Sequence, residues 1–345
     1  MGVLKDSIGF LGVGLCGGNF ASRFAEKGMR CLCINTSASD LNAIESGSIK
    51  KHVVGGHGSA HNRAKSKQLI NEDFPRISEL LEDSFAGCGI IAIIFSSGGG
   101  VGSGSSPMLL DYMSSTFPEK IICGITVLPA NSESIKVREN ALECFKEIES
   151  IKGMGALFVL DNQMAYNRLW LNASFCDLFC EMLEMPCAGS SSKKTSDGIL
   201  KEMLAAPGCA VMAKTPKSMS STGSIINSLK HSSYSPFSPG RAKYLALSMS
   251  TDIDCEKVKE IFGDPSETFI GISGKSTILF ATGLNIPSTR LQNLREVLEA
   301  DAEERMRSLS SRVLVDSPDL NPGSNKIYKP VKLTREELFA KYIHK

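Results

Sequence analysis

The first half of the chain alternates short aliphatic runs with longer segments in which apolar residues recur every three or four positions. The aliphatic runs are compact and bounded by turn residues, which is typical of buried β-strands. They occupy residues 8–12, 30–35, 89–95, 121–128 and 156–160. Segments with helical spacing lie between them, including 18–27, 107–116 and 134–148. Strands that alternate with crossover helices predict an α/β fold with a mostly parallel, Rossmann-like sheet covered on both faces.

The pattern changes after residue 162. Residues 163–186 are apolar nearly all round, which predicts a long, buried central helix between two domains. The strand-like runs "CAVMA", "KYLALSMS", "TFIGIS" and "TILFATG", with a helix at 255–262, predict a smaller α+β domain. Pro287 opens an amphipathic helix, and basic sequence follows it. The predicted parts are a first domain (1–162), the central helix (163–186), a second domain (187–286), a C-terminal helix (287–315) and a basic tail (316–345).

Composition narrows the class of protein. The 345-residue chain has a formal net charge of +1, which gives no overall attraction to nucleic acid or to a membrane surface. Its eleven cysteines are an odd number scattered through apolar runs, which favours reduced, buried thiols over a disulfide framework or a zinc site. The sequence has no run of 18 apolar residues. We therefore expect a cytoplasmic protein without a membrane partner.

Gly12 to Gly17 reads GxGxxG between a predicted strand and a predicted helix, as in dinucleotide-binding folds. A dinucleotide site also needs an acidic residue at the end of the second strand, to bind the ribose. That strand ends here in Asn35-Thr36-Ser37. The missing acidic residue weakens the dinucleotide interpretation, so an NAD(P)-dependent Rossmann oxidoreductase stays as an alternative. The function is better indicated by the other loops.

A second glycine loop, "FSSGGGVGSGSSP" at residues 95–107, follows another predicted strand. It imitates a Walker A loop but has Ser105 where that loop needs its phosphate-binding lysine. A third polar loop, "GGHGSAHNR", lies at residues 55–63. Three such loops at strand ends predict a phosphate chain bound by backbone N–H groups and helix N-termini.

The loops resemble, in sequence and in order, those of the tubulin/FtsZ superfamily. "GGGVGSGSSP" is similar to the tubulin signature GGGTGTGSxP, with Val101 and Ser103 at its two threonine positions, and "GVGLCGGN" is similar to the first phosphate loop of FtsZ. The second, third, ribose and base-recognition segments of the family correspond to "INTSASDL", "GHGSAHNR", "VLPANSESIKVREN" and "FVLDNQ". The resemblance continues through Ile286 and weakens beyond it. The divergent loops, the long last helix and the basic tail favour the TubZ type of plasmid and phage tubulins.

The resemblance implies a site for GTP and GDP. Ten residues would surround the phosphates: Gly12, Gly14, Gly17, Gly18, Gly98, Gly99, Gly100, Gly102, Ser103 and Gly104. Five more complete the implied nucleotide-contacting set: Leu15, Cys16, Asn35, Val101 and Pro129. Mg²⁺ would be held mainly through water and phosphate oxygens, and no protein residue is assigned as a metal ligand.

The resemblance also implies how the nucleoside is bound. Glu133 would bind the ribose, with Arg138 nearby, although one extra residue separates the two compared with the family. Asn19 and Asn162 would read the guanine edge, because an amide both donates and accepts hydrogen bonds. A further base contact would come from the central helix, through Asn172 or alternatively through Asp177 one turn later.

Hydrolysis in this superfamily uses two molecules, because a loop of one subunit supplies acidic residues to the nucleotide on the next. The family pattern is close to NxDxxD, whereas the corresponding "KKTSDGILKEML" has one acidic residue, Asp197, before its helix. The resemblance assigns water activation to Asp197, with Glu202 in reserve. Asp197 could equally be an ordinary acidic residue at a helix start, which leaves a static pseudo-GTPase scaffold as an alternative.

We therefore predict a GTP-dependent polymerising protein that hydrolyses GTP on filament assembly and segregates or positions plasmid or phage DNA. Its implied partners are other copies of itself, head to tail, and a DNA-binding adaptor that contacts the basic tail from Ser324 onward. DNA would then be bound only indirectly. A cell-division GTPase like FtsZ is the alternative, although the chain lacks the DIPxFLR-like peptide of that protein.

Overall fold

One sheet runs through the whole structure, a computed structural model that describes residues 3–44, 48–189, 195–234 and 240–311. Its eleven strands lie in the order β3-β2-β1-β4-β5-β6-β8-β11-β9-β10-β7 within those ranges. The strands are β1 (Ile8–Val13), β2 (Arg30–Asn35), β3 (Lys50–Val53), β4 (Ile90–Ser96), β5 (Ile121–Leu128), β6 (Ala156–Asp161), β7 (Ala188–Gly189), β8 (Gly208–Pro216), β9 (Tyr244–Met249), β10 (Glu267–Ile272) and β11 (Ser276–Leu284).

Helices connect most of these strands. They are α1 (Val3–Asp6), α2 (Gly14–Glu26), α3 (Ala38–Asn42), α4 (Arg63–Glu72), α5 (Phe74–Phe85), α6 (Gly100–Thr116), α7 (Ile135–Ile148), α8 (Arg168–Leu183), α9 (Ser196–Ala205), α10 (Thr222–Lys230), α11 (Cys255–Ile261) and α12 (Ser288–Ser311), with a short 3₁₀ turn at Lys217–Met219. The alternation of strands and helices in the first half confirms the predicted α/β class.

The first half of the sheet is parallel. Strands β3, β2, β1, β4, β5 and β6 pair in parallel, so their carboxyl ends lie at one edge. The sheet then continues into the second half, because β6 pairs in parallel with β8. Strand β11 is antiparallel to both β8 and β9, whereas β10 is parallel to β9. The two halves of the chain are therefore joined by backbone hydrogen bonds.

Strands β1, β2, β4, β5 and β6 are buried on both faces, which explains their continuous aliphatic runs. Successive residues of β1 enter two different cores, with Phe10 in one and Leu11 in the other. The first core is rich in phenylalanine, and Phe10 stacks on Phe24 of α2 with ring centroids 3.8 Å apart. Phe179 of α8 meets Phe158 of β6 edge to face at 5.3 Å. Helix α8 is therefore packed into the core, as its apolar surface predicts.

The predicted start of the central helix was wrong. The apolar pattern placed it at residue 163, but α8 begins at Arg168. The reason is a strong N-cap, because the Asn167 side chain accepts hydrogen bonds from the backbone N–H groups of Leu169 and Trp170. Residues 162–167 instead form a turn, in which the Asp161 carboxylate accepts the N–H of Gln163 at 2.9 Å. This turn lies at the carboxyl edge of the sheet.

Residues up to Asp301 form one compact unit, and the remainder of α12 continues as helix to Ser311. The predicted end of the C-terminal helix at 315 and the basic tail at 316–345 lie outside the described residues. All eleven cysteines lie inside the described ranges and are unpaired; nine are buried, and Cys16 and Cys255 are partly exposed. Among the described helices, none combines the length and the apolar character needed to cross a bilayer.

Candidate functional site

The candidate site lies where five parallel strands end. The segments after β1, β2, β4, β5 and β6 all leave the sheet at the same edge, which is where ligands bind in parallel α/β sheets. These segments carry the predicted first glycine loop, Asn35, the second glycine loop, Glu133 and Asn162. The fold thus brings together residues that span about 150 positions of sequence.

Two helices begin at this edge without a side-chain cap. Neither N-cap residue, Val13 for α2 or Gly99 for α6, forms a side-chain hydrogen bond to its helix in the described structure, and neither first turn carries an acidic residue. Other N-caps accept a hydrogen bond from their helix: Ser37, Asn62, Ser134, Asn167, Thr195, Ser221 and Asp254. Helix α5 also lacks such a bond, but it follows α4 directly and has proline in its first turn. Free N–H groups and the helix dipole make the starts of α2 and α6 suited to an anion.

The two uncapped helices meet. Gly14, the first residue of α2, has a φ of +74°, and a β-carbon at this position would lie 3.3 Å from the backbone nitrogen of Gly102 in α6. The same β-carbon would lie 3.3 Å from Cβ of Val101. A side chain at Gly14 would therefore separate the two helix starts. Their N–H groups are available to one ligand.

Most predicted phosphate-loop glycines are required by packing of the chain on itself. A β-carbon on Gly12 would lie 2.5 Å from the carbonyl oxygen of Gly17, and one on Gly17 would overlap the carbonyl oxygen of Ile94. In the second loop, β-carbons on four glycines would come within 2.9 Å of backbone atoms of other residues: Gly98, Gly100, Gly102 and Gly104. The absence of a side chain at these glycines lets the loops approach the backbone of neighbouring segments closely.

Gly99 differs from its neighbours. The nearest described atom to a β-carbon at this position is Cβ of Ser96, 3.8 Å away, so there is room for a methyl group. Packing does not explain this glycine, and it is also the N-cap residue of the uncapped helix α6. The resemblance implies that Ser103 contacts the phosphates. In the structure it is fully buried, and its hydroxyl donates to the carbonyl of Gly99.

The third loop is held against the second by Arg63 and Asn140, which end two of the sequence motifs and to which the resemblance assigns no role. The Asn140 amide of α7 donates to the carbonyls of His61 and Gly98, at 3.0 and 3.1 Å. Arg63, the first residue of α4, donates to the carbonyl of Ser103 at 3.0 Å and to two carboxylates of α7 at 2.7 Å. Pro107 is the available sequence signal for Arg63, because a proline inside a helix leaves the carbonyl four residues earlier, that of Ser103, without its helical donor.

The third loop is also conformationally strained. Gly55, Gly56 and Gly58 have positive φ angles, and so do Ala60 and His61, at 48° and 58°. A positive φ is uncommon for residues with a β-carbon and costs of order 1 kcal/mol or more. The hydrogen bond from Asn140 and the anchoring of Arg63 hold this conformation beside the start of α6.

Glu133 and Asn162, predicted for ribose and base, lie side by side. The Glu133 carboxylate accepts hydrogen bonds from the Asn162 amide at 3.2 Å and from the backbone N–H of Ala130 at 3.0 Å. It also pairs with Arg168 at 2.9 Å, a residue that the motifs did not identify. Cys16 of the first loop is close to this group. Burial raises the pKa of its thiol to about 12, and the Glu133 charge raises the same pKa further.

Asn19 and Asn172 line one cavity. It has a volume of about 210 Å³ and lies between α2, the end of α3 and the start of α8. Asn172 is 9% exposed, so it does not face solvent. Asp177, the alternative base contact, lies outside the lining of this cavity and pairs with Lys27. The geometry therefore favours Asn172 over Asp177.

Three predicted residues have local structural roles in the structure. The Asn35 side chain accepts the N–H of Ser37 at 3.2 Å and holds the turn after β2. Arg138 is buried and pairs with Asp301 of α12. The carbonyl of Pro129 accepts a hydrogen bond from Arg290 of the same helix at 2.8 Å. Leu15, by contrast, is 46% exposed in the first turn of α2.

The predicted catalytic residues lie on α9, at the other edge of the sheet. Helix α9 packs against α1, which precedes β1, and a β-carbon on Gly155, just before β6, would overlap the carbonyl of Leu204 in α9. Asp197 is half-buried in the first turn of α9. Glu202 accepts a hydrogen bond from the Tyr244 hydroxyl at 3.0 Å, and burial together with this carboxylate raises the pKa of Tyr244 to about 12. Lys193 and Lys194, which begin the predicted catalytic run, lie outside the described residues.

Within one chain, the glycine loops therefore lie far from Asp197 and Glu202. The loops leave the carboxyl ends of the strands, whereas α9 packs beside their amino ends. The described residues contain no group of three or more His, Cys, Asp or Glu side chains placed to hold a metal ion. The arrangement can bind an anion and a polar aromatic base at one edge and present a carboxylate at the other.

Comparison with known proteins shows which class the chain is similar to. Residues 7–169 match the tubulin/FtsZ family, GTPase domain. Over a longer span, the chain is 25% identical to the tubulin-like protein TubZ of Clostridium botulinum C phage, covering 94% of this chain and 92% of the relative.

Solved structures show the same similarity. The C-terminal tail truncated TubZ of Clostridium botulinum phage c-st superposes with a TM-score of 0.79 at 25% identity, covering 87% of this chain and 99% of that one. A GTPγS-form protofilament of Bacillus thuringiensis serovar israelensis TubZ shares the fold, with a TM-score of 0.75 at 16% identity, over 90% of this chain and 96% of that one. The predicted tubulin-like α/β fold is confirmed, and the family match favours the GTPase hypothesis over the NAD(P)-dependent alternative.

Proposed function

We propose that this protein binds GTP at the carboxyl edge of the sheet and hydrolyses it when copies of the chain assemble into a filament. The observation that carries the proposal is the meeting of two uncapped helix N-termini, those of α2 and α6, at Gly14 and Gly102. Such N–H groups replace the lysine of a Walker A loop, because each supplies partial positive charge to a phosphate oxygen. The triphosphate lies across the two helix starts.

The nucleoside occupies the side of the site next to α8. Glu133, held by Asn162 and Arg168, accepts hydrogen bonds from the ribose hydroxyls. Asn19 and Asn172 bind the guanine edge from two walls of their shared cavity. An amide matches guanine, which presents both a carbonyl and N–H groups, and mismatches adenine, so these residues select GTP over ATP. Mg²⁺ bound together with the nucleotide would reduce the charge that the helix starts must stabilise.

Hydrolysis requires a second copy of the chain. Asp197 lies at the opposite edge of the sheet from the glycine loops, so in one molecule it does not reach the bound triphosphate. Head-to-tail stacking places α9 of one copy over the loops of the next, and Asp197 then orients the attacking water. The protofilament described for a TubZ relative is consistent with this assembly. Phosphoryl transfer suits a divided site, because it depends mainly on positioning and charge stabilisation.

The cellular role follows from the similarity to TubZ. A filament of this kind moves or positions plasmid or phage DNA, and the DNA is bound through a separate adaptor protein that contacts residues 324–345. A pull-down with and without residues 324–345, at low and high salt, tests this contact, since a basic segment binds an acidic surface less tightly as salt rises. Eleven unpaired cysteines agree with the reducing cytoplasm.

The test of the GTPase proposal follows light scattering and phosphate release in one sample after GTP addition. The parent protein should show scattering that rises and then decays as phosphate appears. Asp197→Ala should bind GTP as the parent does, assemble, and release phosphate at least about 100-fold more slowly, because one positioned polar group is worth about that factor. Its filaments should therefore persist longer.

Asp252→Ala is the matched control, because Asp252 is an exposed acidic residue of the second half. It should behave as the parent in both readouts. Phosphate release by Asp197→Ala at the parent rate would remove Asp197 from the mechanism. Scattering that rises and stays high in the parent without phosphate release would support a static scaffold, and binding of NADH in place of GTP would reject the GTPase proposal altogether.

A further inference from the structure

Arg290, in the first turn of α12, is largely shielded from solvent beside a buried carboxylate at the edge of the candidate site. Its side chain is 12% exposed and that of Asp161, the last residue of β6, is 2% exposed. The guanidinium binds Asp161 in a bidentate manner, with Nε to Oδ2 at 2.7 Å and Nη2 to Oδ1 at 3.3 Å. The two residues are 129 positions apart, so this contact connects distant parts of the chain.

The remaining donors of Arg290 reach the segment after β5. Nη2 donates to the carbonyl of Pro129 at 2.8 Å, and Nη1 donates to Oδ1 of Asn131 at 2.9 Å. Asn131 in turn donates its amide to Asn293 of α12 at 3.0 Å. Arg290 thus joins the ends of β5 and β6 through one planar group. A lysine has no such fork and could satisfy only part of this set.

The same network includes the turn that follows β6. Asp161 accepts the backbone N–H of Gln163 at 2.9 Å, and the Gln163 side chain accepts the backbone N–H of Asn131 at 2.8 Å. These bonds close a ring that runs from Arg290 through Asp161 and Gln163 to Asn131 and back. The ring holds both segments in one relative position.

The two segments carry proposed contacts to the nucleoside. Asn162 follows Asp161 directly, and Glu133 follows Asn131 by two residues. The distance of 3.2 Å between the Asn162 amide and the Glu133 carboxylate depends on the position of both segments. Further along α12, Asp301 pairs with Arg138 of α7, the helix that begins just after Glu133. Helix α12 therefore contacts this region at two places.

We propose that Arg290 is a positioning residue for the nucleoside half of the GTP site, so that the C-terminal helix is a structural part of nucleotide binding. The inference rests on the proposed GTP-binding function. Arg290 acts through Asp161, Pro129 and Asn131, which set the positions of Asn162 and Glu133. A buried ion pair adds little net stability compared with apolar packing, so placement of the two segments is the better explanation for this group.

The test measures binding and release of fluorescent GTP and GDP by Arg290→Gln, Arg290→Lys and the double variant Arg290→Gln/Asp161→Asn, well below their unfolding temperatures. Arg290→Gln should bind GTP and GDP about 10- to 30-fold more weakly, with faster release, because displaced binding groups lose much of their effect. The loss should be equal for the two nucleotides, since the network does not include the residues around the phosphates. Arg290→Lys should recover part of the affinity.

A second readout separates positioning from general destabilisation. The preference of the parent for GTP over 2′-deoxy-GTP depends on the place of Glu133, so this ratio should fall in the Arg290 variants. Arg295→Gln is the matched control on the same helix, because Arg295 contacts only Gln292 of its own helix among the contacts that the structure describes. It should leave affinity and the ratio unchanged.

Arg290→Gln leaves the Asp161 carboxylate charged and buried without its partner, so this single variant can fail to fold. The double variant keeps the test valid in that case. It removes both charges and keeps side chains of similar shape. A folded double variant with the affinity, release rate and deoxynucleotide ratio of the parent would overturn the role of Arg290. Failure of the parent itself to bind GTP would instead overturn the proposed function, so the two failures are distinguishable.

Discussion

At the scale of single residues, the glycines of the phosphate loops fall into two groups that sequence alone does not separate. Gly12 and Gly17 are required because backbone atoms of neighbouring segments approach them closely. Gly99 has room for a side chain, so packing within the described chain does not require a glycine there. The motif treats these residues as equivalent phosphate contacts, whereas contact distances assign them different roles.

Alanine substitutions should expose this difference. Gly17→Ala places a methyl group on the carbonyl oxygen of Ile94, so it should lower the free energy of unfolding by about 3 kcal/mol, as overpacked backbone contacts do. Gly99→Ala should cost no more than about 1 kcal/mol, the usual effect of alanine at an N-cap. Its methyl group would occupy the phosphate site, so its GTP affinity should fall at least about tenfold.

Urea unfolding and GTP titration measure the two effects. Gly223→Ala serves as the control, because a β-carbon at this exposed helical position meets no described atom within 4 Å. It should change neither quantity by much. Normal GTP affinity in Gly99→Ala would show that the phosphates do not lie at the start of α6.

At the scale of elements, the hydrophobic pattern located strands better than helix starts. The five predicted strands of the first half agree with the structure to within one residue at each end. Helices α2 and α6 begin at Gly14 and Gly100, several residues before their predicted starts. Glycine has low helix propensity, so the sequence pattern places the start of each helix after its glycines. The glycines instead form the first turns, and this is what leaves their N–H groups free at the site.

An aspartate at Gly99 should act as a substitute for the phosphate. Aspartate is among the best N-cap residues, and its charge is favourable beside a helix start, so Gly99→Asp should stabilise the nucleotide-free protein by about 0.5 kcal/mol. The same charge should repel the triphosphate and weaken GTP binding strongly. Gly99→Asn is the control, because it provides a similar cap without the charge.

Unfolding of the nucleotide-free variants and GTP titration at two salt concentrations check this expectation. Both variants should be at least as stable as the parent, and the aspartate should bind GTP less tightly than the asparagine, with a difference that shrinks as salt screens the charge. Equal GTP affinities for the two variants would mean that the start of α6 does not face the phosphates.

At the scale of the whole molecule, the sequence predicted the order of elements but not the contacts between distant ones. Local propensity and periodicity carry information over a few residues, whereas Arg290 and Asp161 meet across 129 positions. The predicted division of the active site between two copies came from the family resemblance, and the packing of α9 on α1 keeps Asp197 away from the glycine loops of its own chain. The division into a first and a second domain stays a prediction, and the shared sheet gives a way to test it.

The continuous sheet leads us to expect that residues 3–301 unfold as one cooperative unit. Strand β6 of the first half pairs with β8 of the second, and each core contains residues of both halves, such as Phe10 with Phe280 and Leu11 with Leu279. Separating the halves would expose both cores and an unpaired strand edge. Calorimetry should therefore give one transition with equal calorimetric and van't Hoff enthalpies. In hydrogen exchange at rising urea concentration, the amide protons of β5 and β11 should lose protection together. Earlier loss of protection in β11 would show that the second half unfolds as a domain of its own.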